Sequence, residues 1–280
     1  MRVLITGSSG FIGYRIYNFL KKRKINITEI SRSKKNSKTN LKIDLTEFKK
    51  INKKFDVLIH CAANTPPKYN NREIKKNYLI NCNILKIAKE TGIKKIIYLS
   101  SMSIYEKNKK RIYENSQKTS KDVYGKTKLH GERIFLNNKK IFDQIFILRL
   151  PSVVGKGCHS TFLSKIAQNV ILKKEKILVY NRKSYFNNCI YINDLCKKIL
   201  FLLKNNQLKF LIKNLKTKNP ILISTVIEIF RKQFNYQNAI EFKDGKSKPF
   251  LIENINKKYL SNLRTTKNTI LKYIKELKQN

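Results

Sequence analysis

The feature that most constrains this chain stands at its N-terminus. A short β-rich run, Met1 to Thr6, enters the turn Gly7-Ser8-Ser9-Gly10-Phe11-Ile12-Gly13. Phe11 to Lys22 then repeats Phe11, Ile12, Ile16, Phe19 and Leu20 at helical spacing. Strand, glycine turn and helix in immediate succession predict the opening of a βαβ unit. The glycines permit a tight turn and a close backbone approach, and the helix start offers free N–H groups, which suits a pyrophosphate. The spacing is GxxGxxG rather than GxGxxG, so alone it also fits a helix-opening turn that holds no ligand.

The same rhythm continues. Strands are predicted at Ile25 to Ile30, Leu41 to Ile43, Val57 to Cys61, Ile96 to Leu99 and Ile145 to Leu150, with helices at Thr46 to Lys54, Asn71 to Thr91 and Tyr124 to Leu136. Alternation at these lengths predicts right-handed crossovers and a parallel sheet. After Pro151, short strands (Ile177 to Tyr180, Ile190 to Ile192, Lys209 to Ile212) mix with helices at Ser160 to Leu172, Asp194 to Lys204, Ser224 to Gln233 and Lys267 to Lys278. The expected architecture is α/β: a Rossmann-type doubly wound parallel sheet over residues 1–150, with a smaller C-terminal α/β substrate lobe over 151–280. The polar stretch Lys107 to Lys121 is a long loop of the kind that borders active sites.

Three segments stand out together: Thr6-Gly7-Ser8-Ser9-Gly10-Phe11-Ile12-Gly13, Asp44-Leu45, and Ile59-His60-Cys61-Ala62-Ala63. In this order they resemble the extended short-chain dehydrogenase/reductase superfamily, of the NAD-dependent epimerase/dehydratase, nucleotide-sugar type. It is a resemblance that covers roughly the first two-thirds of the chain. It implies that the turn holds the cofactor diphosphate, that Asp44 meets the adenine amine, and that Cys61, Ala62 and Ala63 line the ribose and diphosphate. His60 reads as a packed core histidine rather than a catalyst.

Cofactor choice is read at the end of the second strand, where an acidic residue suits the ribose hydroxyls of NAD and a basic one a 2′-phosphate. Ser31 and Arg32 lie 18 and 19 residues past Gly13, and Lys34 and Lys35 follow. A guanidinium forks well onto phosphate, so NADP is slightly favoured over NAD.

Tyr124-Gly125-Lys126-Thr127-Lys128 places a tyrosine and a lysine four apart, on one face of a helix. A nearby ammonium is expected to lower the phenol pKa, fitting Tyr124 to exchange a proton with an alcohol or carbonyl oxygen as hydride moves. By the resemblance, Lys128 also holds the nicotinamide ribose, and Ser101, in Leu99-Ser100-Ser101-Met102-Ser103-Ile104-Tyr105, hydrogen-bonds the reacting oxygen. Asn77 matches an asparagine common in the preceding helix. Met102 and Ser103 stand where the family's 4,6-dehydratases carry Asp-Glu, which argues against dehydration, and Glu106 stands in a usual glycine position. Leu150 and Pro151 match the stretch passing the nicotinamide. Ser152 stands where UDP-galactose 4-epimerases have a substrate-facing asparagine, and Asn187 lies near their diphosphate-gripping arginine, with Arg182 and Lys183 upstream. His159 and Cys158 read as surface loop.

The expected reaction is hydride transfer at a carbinol or keto carbon of a nucleotide sugar. Reduction and 4-epimerisation with tightly bound NAD both stay open. The resemblance also implies a homodimer through the helices at Asn71 to Thr91 and Tyr124 to Leu136. Outside the class stands a non-catalytic dinucleotide- or RNA-binding protein, motivated by a net charge of +43. The basic residues spread over most helices instead of one stripe, and no zinc-finger, homeodomain or RNP pattern accompanies them, so nucleic acid is not the expected partner. The excess matches a chain-wide crowding of Lys, Asn and Ile, and it favours anionic substrates. Five cysteines without a CxxC pair and three scattered histidines give no metal-ligand spacing, so no metal is expected. No apolar run reaches membrane-spanning length and no leader is visible, so the cytoplasm is the expected compartment.

Overall fold

The computed structural model describes residues 1–33, 38–106, 109–245, 249–256 and 263–279. Its elements follow the chain as β1 (Arg2–Thr6), α1 (Phe11–Lys21), β2 (Asn26–Ser31), β3 (Asn40–Lys42), β4 (Val57–His60), α2 (Asn71–Lys75), α3 (Asn77–Glu90) and β5 (Lys95–Ser101). A 3-10 turn (Met102–Ile104), β6 (Arg111–Ile112), α4 (Val123–Asn137), β7 (Gln144–Leu150), β8 (Ser152–Val154), α5 (Phe162–Ile171) and β9 (Lys176–Tyr180) come next. The chain ends with β10 (Tyr185–Phe186), β11 (Cys189–Tyr191), α6 (Ile192–Lys204), β12 (Phe210–Asn214), β13 (Ile221–Leu222), α7 (Ile223–Phe234), β14 (Ala239–Lys243), β15 (Leu251–Ile252) and α8 (Thr266–Lys278).

These form two compact units, each assembled from three stretches. The first comprises Met1–Tyr105, Lys118–Arg149 and Leu195–Lys213; the second comprises Glu106–Gln117, Leu150–Asp194 and Asn214–Asn280. The first unit is Rossmann-like, as the alternation predicts. Its seven strands stand in the order β12-β7-β5-β4-β1-β2-β3. The pairings of β1 with β2 and β4, of β2 with β3, and of β4 with β5 are parallel. The strands read as continuous apolar runs because both faces are covered. Leu4, Leu58, Ile96 and Ile147 pack with Ile84, Ile87 and Phe135 of the helices. Each such side chain contributes about 1.5–3 kcal/mol on full burial.

The strand order reverses between β1 and β4, so their C-terminal ends open a crevice where ligands bind in open α/β sheets. The glycine turn leaves β1 there, and Cys61 to Ala63 leave β4 there.

Two expected helices differ. Residues 46–54 are not helical. The Asp44 carboxylate accepts from both the amide and the hydroxyl of Thr46 at 2.9 Å, which folds the chain into a turn. A helix would also stack Lys49 on Lys53 and Lys50 on Lys54, like-charge pairs that disfavour it. The expected helix over 71–91 breaks at Lys76, because Asn77 is held by its amide to the backbone of Asn64, receiving from its N–H at 2.7 Å and donating to its carbonyl at 2.9 Å.

The second unit has its own core of Val154, Leu163, Ile166, Ile227, Phe230 and Ile274. It also takes up the long polar loop as far as Gln117, of which Lys107 and Asn108 lie outside the described residues. Strand β6 pairs with β15, and the Glu114 carboxylate accepts from Asn254 Nδ2 at 2.6 Å and Ile255 N at 3.0 Å. No helix among the described residues is long and apolar enough to cross a membrane.

Candidate functional site

The glycine turn is built from close backbone contacts. Gly7 has φ +71°, and a Cβ there would lie 2.7 Å from Ala62 N. A Cβ on Gly13 would overlap the Gly7 carbonyl oxygen. These two glycines are demanded by protein packing alone. Gly10 is not: it is exposed, and a Cβ would meet nothing closer than 3.5 Å. Helix α1 has Gly10 at its N-cap, with no side-chain cap and no acidic residue in its first turn. The Ser8 hydroxyl beside it is buried without a hydrogen-bond partner. A bare, uncapped helix start, an orphaned hydroxyl and a glycine the protein does not need fit a bound diphosphate. Gly10→Ala is therefore expected to weaken dinucleotide binding about tenfold or more at unchanged melting temperature. Gly13→Ala should instead lower the melting temperature. Isothermal titration and thermal melts separate the two.

The other expected cofactor residues surround this crevice edge. Ser9 is exposed, and Phe11 and Ile12 are half-buried. Ser31 is buried and receives from Asn40 Nδ2 at 3.3 Å. Arg32 is exposed and donates to the Tyr69 hydroxyl at 3.1 Å. Lys34 and Lys35 lie outside the described residues. Asp44 caps its turn, and Leu45 is buried with its carbonyl held by Asn83 Nδ2 at 3.0 Å. Cys61, Ala62 and Ala63 are half-buried.

A hydrogen-bonded chain runs behind them that sequence reading did not assemble. Thr6 Oγ1 accepts from the amides of Cys61 and Ala62 at 3.2 Å, so its proton goes to His60 Nδ1 at 2.7 Å. His60 is fully buried; burial first, and the Lys128 ammonium second, push its pKa down to about 3. It is neutral, carries its proton on Nε2, and donates to Asn81 Oδ1 at 3.4 Å. Asn81 Nδ2 donates to the Thr127 carbonyl at 3.0 Å, and Asn77 Nδ2 to the Thr127 hydroxyl at 3.3 Å. The end of β4 is thus tied to α4. The sequence signal for this was faint: three asparagines within seven residues of one helix, Asn77, Asn81 and Asn83, all buried.

Helix α4 carries Tyr124 and Lys128. Asp122 caps it, accepting from Tyr124 N at 3.1 Å and Gly125 N at 3.4 Å. A Cβ on Gly125 would overlap the Ser103 carbonyl, so this glycine lets the turn after Ser101 seat against the start of α4. Ser101, at the end of β5, accepts from Ser103 N at 3.1 Å and is half-buried. Ser101, Tyr124 and Lys128 all belong to the first unit.

Their electrostatics differ from the expectation. Burial, and then the Asp122 carboxylate, raise the Tyr124 pKa rather than lower it. Lys128 is shifted as well. It is buried, which pushes its pKa down to about 8, with Cys61 and Glu132 acting upward. Its ammonium sits 4.7 Å over the Tyr98 ring and 6.0 Å from the Tyr124 ring centre.

Leu150, Pro151, Ser152 and Asn187 belong to the second unit. Ser152 pairs in register with Cys189. Asn187 is fully buried, and its amide is engaged on both sides by Ile252, donating to its carbonyl at 2.8 Å and accepting from its N–H at 3.0 Å. Its side chain holds β15 in place and is not presented to a ligand. All five cysteines are free thiols, and no metal-binding cluster occurs among the described residues.

The family model described as NAD dependent epimerase/dehydratase family matches residues 3–212. The chain belongs to that family. Among the relatives of this chain, UDP-glucuronate 4-epimerase 1 of Arabidopsis thaliana is 25% identical, over 90% of this chain and 70% of the relative. Methionine adenosyltransferase 2 subunit beta of Xenopus laevis is 27% identical, over 67% of this chain and 56% of its own length. The UDP-glucuronic acid 4-epimerase from Bacillus cereus, solved with UDP-glucuronic acid and NAD, superimposes with a TM-score of 0.78 at 18% identity, covering 100% of this chain and 99% of that one. That likeness is one of fold.

Proposed function

We propose that this chain is an NAD(P)-dependent nucleotide-sugar 4-epimerase. The observation that carries the proposal is that α4 presents Tyr124 and a buried Lys128 on one unit with Ser101, beside a glycine turn suited to a diphosphate. Gly7 to Gly13, with Ser9, Phe11 and Ile12, would hold the diphosphate; Ser31, Arg32, Asp44 and Leu45 the adenosine side; Cys61, Ala62, Ala63 and Lys128 the nicotinamide ribose. Leu150 and Pro151 would border the nicotinamide, and Ser152 the sugar.

When bound, the nicotinamide supplies a hydride acceptor and donor. Tyr124 would take the hydroxyl proton of the reacting sugar carbon as its C–H hydride leaves, and return the proton when hydride comes back to the opposite face. Ser101 would donate to the reacting oxygen, and the Lys128 ammonium would favour the phenolate. Net epimerisation consumes no reductant.

A second reading, a reductase, is favoured by Arg32: its exposed guanidinium at the end of β2 suits a 2′-phosphate, hence NADP. Purified protein titrated with NAD, NADH, NADP and NADPH, then incubated with UDP-glucose and UDP-glucuronate, decides between them. The epimerase predicts interconversion of 4-epimers without net cofactor turnover. The reductase predicts a preference for NADP and NADPH that Arg32→Ala erases, with stoichiometric reduction of NADP as a carbinol of the supplied sugar is oxidised, the reverse of keto-sugar reduction. Dinucleotide binding with no sugar chemistry would leave a non-catalytic subunit instead.

A further inference from the structure

Glu132 and Arg149 form an ion pair sealed inside the first unit, 1–2% exposed. Arg149 Nε donates to Glu132 Oε1 at 2.9 Å and Nη2 to Oε2 at 2.8 Å, a bidentate fork. Ser100 Oγ donates to Glu132 Oε1 at 2.5 Å, and Arg149 Nη1 donates to the Tyr105 hydroxyl at 2.5 Å. Each partner adjoins a piece of the site. Ser100 precedes Ser101, Tyr105 closes the turn that follows it, Glu132 lies one turn beyond Lys128 on α4, and Arg149 precedes Leu150 and Pro151 on β7.

A buried pair of this kind seldom stabilises more than apolar side chains of equal volume, so stability does not explain it. We infer that the Glu132–Arg149 pair is a positioning device for Ser101, Tyr124 and Lys128, fixing the end of β5, α4 and the end of β7 together. It rests on those three being the reacting groups. The groups facing Lys128 are His60 and Cys61 from the end of β4, Tyr98 from β5, and Tyr124 and Glu132 from α4 itself. Cys61 and then Glu132 hold the Lys128 pKa up against burial, and Glu132 is the carboxylate among these groups. Arg149 offsets that charge, and Lys118, beside both, adds a further cation.

The signs follow. Removing the carboxylate withdraws a negative charge that acts upward on Lys128 and lowers the lysine pKa. Removing the guanidinium leaves the carboxylate uncompensated and raises it. Simple loosening with water entry would raise it in both variants.

The test labels Lys128 with acetic anhydride across a pH series, read by peptide mass spectrometry, in the wild type, Glu132→Gln, Arg149→Met and the double variant. The wild-type midpoint is expected near 8, with Glu132→Gln below it and Arg149→Met above it. Midpoints that all coincide, or that rise together in both single variants, overturn the inference. Should a single variant fail to fold, the double variant decides, because it leaves no lone buried charge. A folded double variant with kcat lowered on the order of tenfold or more at unchanged cofactor affinity supports the device; unchanged kcat overturns it. The proposed chemistry fails separately, through a wild type that binds dinucleotide but turns over no sugar nucleotide, since the labelling midpoints need no turnover.

Discussion

Tyr124→Phe is expected to lower nucleotide-sugar turnover by about 10²- to 10⁴-fold, the span that positioned acid–base groups contribute. The substitution removes one oxygen and keeps the ring. The Asp122 cap reaches the backbone of residue 124, not its side chain, so α4 keeps its start. Cofactor affinity and melting temperature should therefore stay as in the wild type. Chromatographic quantification of the sugar-nucleotide epimers, beside a dinucleotide titration, checks both halves. Turnover that survives the substitution would remove Tyr124 from the chemistry.

The pH dependence of that reaction follows from the two neighbouring shifts. The phenol is held protonated by burial and Asp122, so proton abstraction by Tyr124 should quicken as pH rises. Lys128 loses its proton near 8, which withdraws the positive charge favouring the phenolate. The two effects oppose, and the rate should peak on the alkaline side of neutrality.

Acid should unfold this protein through His60. Its folded pKa is about 3, against 6.5 for the ordinary imidazole. Between those values the unfolded chain binds the proton and the folded chain does not, so stability falls as pH falls through that window. The slope is about 1.4 kcal/mol per pH unit, and roughly 4–5 kcal/mol is lost across the whole window. That is a large share of a typical domain's 5–15 kcal/mol. Lowered carboxylates, such as Asp56 on Arg2, add to the same trend, so the isolating comparison is His60→Gln. The glutamine amide can still hydrogen-bond but does not titrate. Urea unfolding at pH 7, 5 and 4 should show the wild type losing more stability than the variant by up to a few kcal/mol. Equal losses would mean that His60 is hydrated in solution.

How much of this was legible in advance depended on range. The Gly7 to Gly13 turn, the alternation up to β7 and the four-residue spacing of Tyr124 and Lys128 are short-range patterns, and each appears in the structure. The helix expected over residues 46–54 failed on a short-range competitor, the Asp44 carboxylate, which offered the backbone a turn instead. Asn187 shows the other limit. Its place in a familiar segment suggested a substrate contact, yet its amide is spent on Ile252, 65 residues away. Nothing near position 187 announces that partner.

The sequence by itself determined the strand–turn–helix opening, the parallel α/β class and the residue types at the proposed site. These follow from backbone sterics and from the periods of strands and helices, which act between near neighbours. Only the tertiary structure decided that the stretch 106–117 joins the second unit and 195–213 the first. It alone decided that Glu132 finds Arg149, 17 residues on, and that Tyr124 is shifted upward instead of downward. Pairing and desolvation depend on which distant residues exclude water around a group, and that is set when the chain closes on itself.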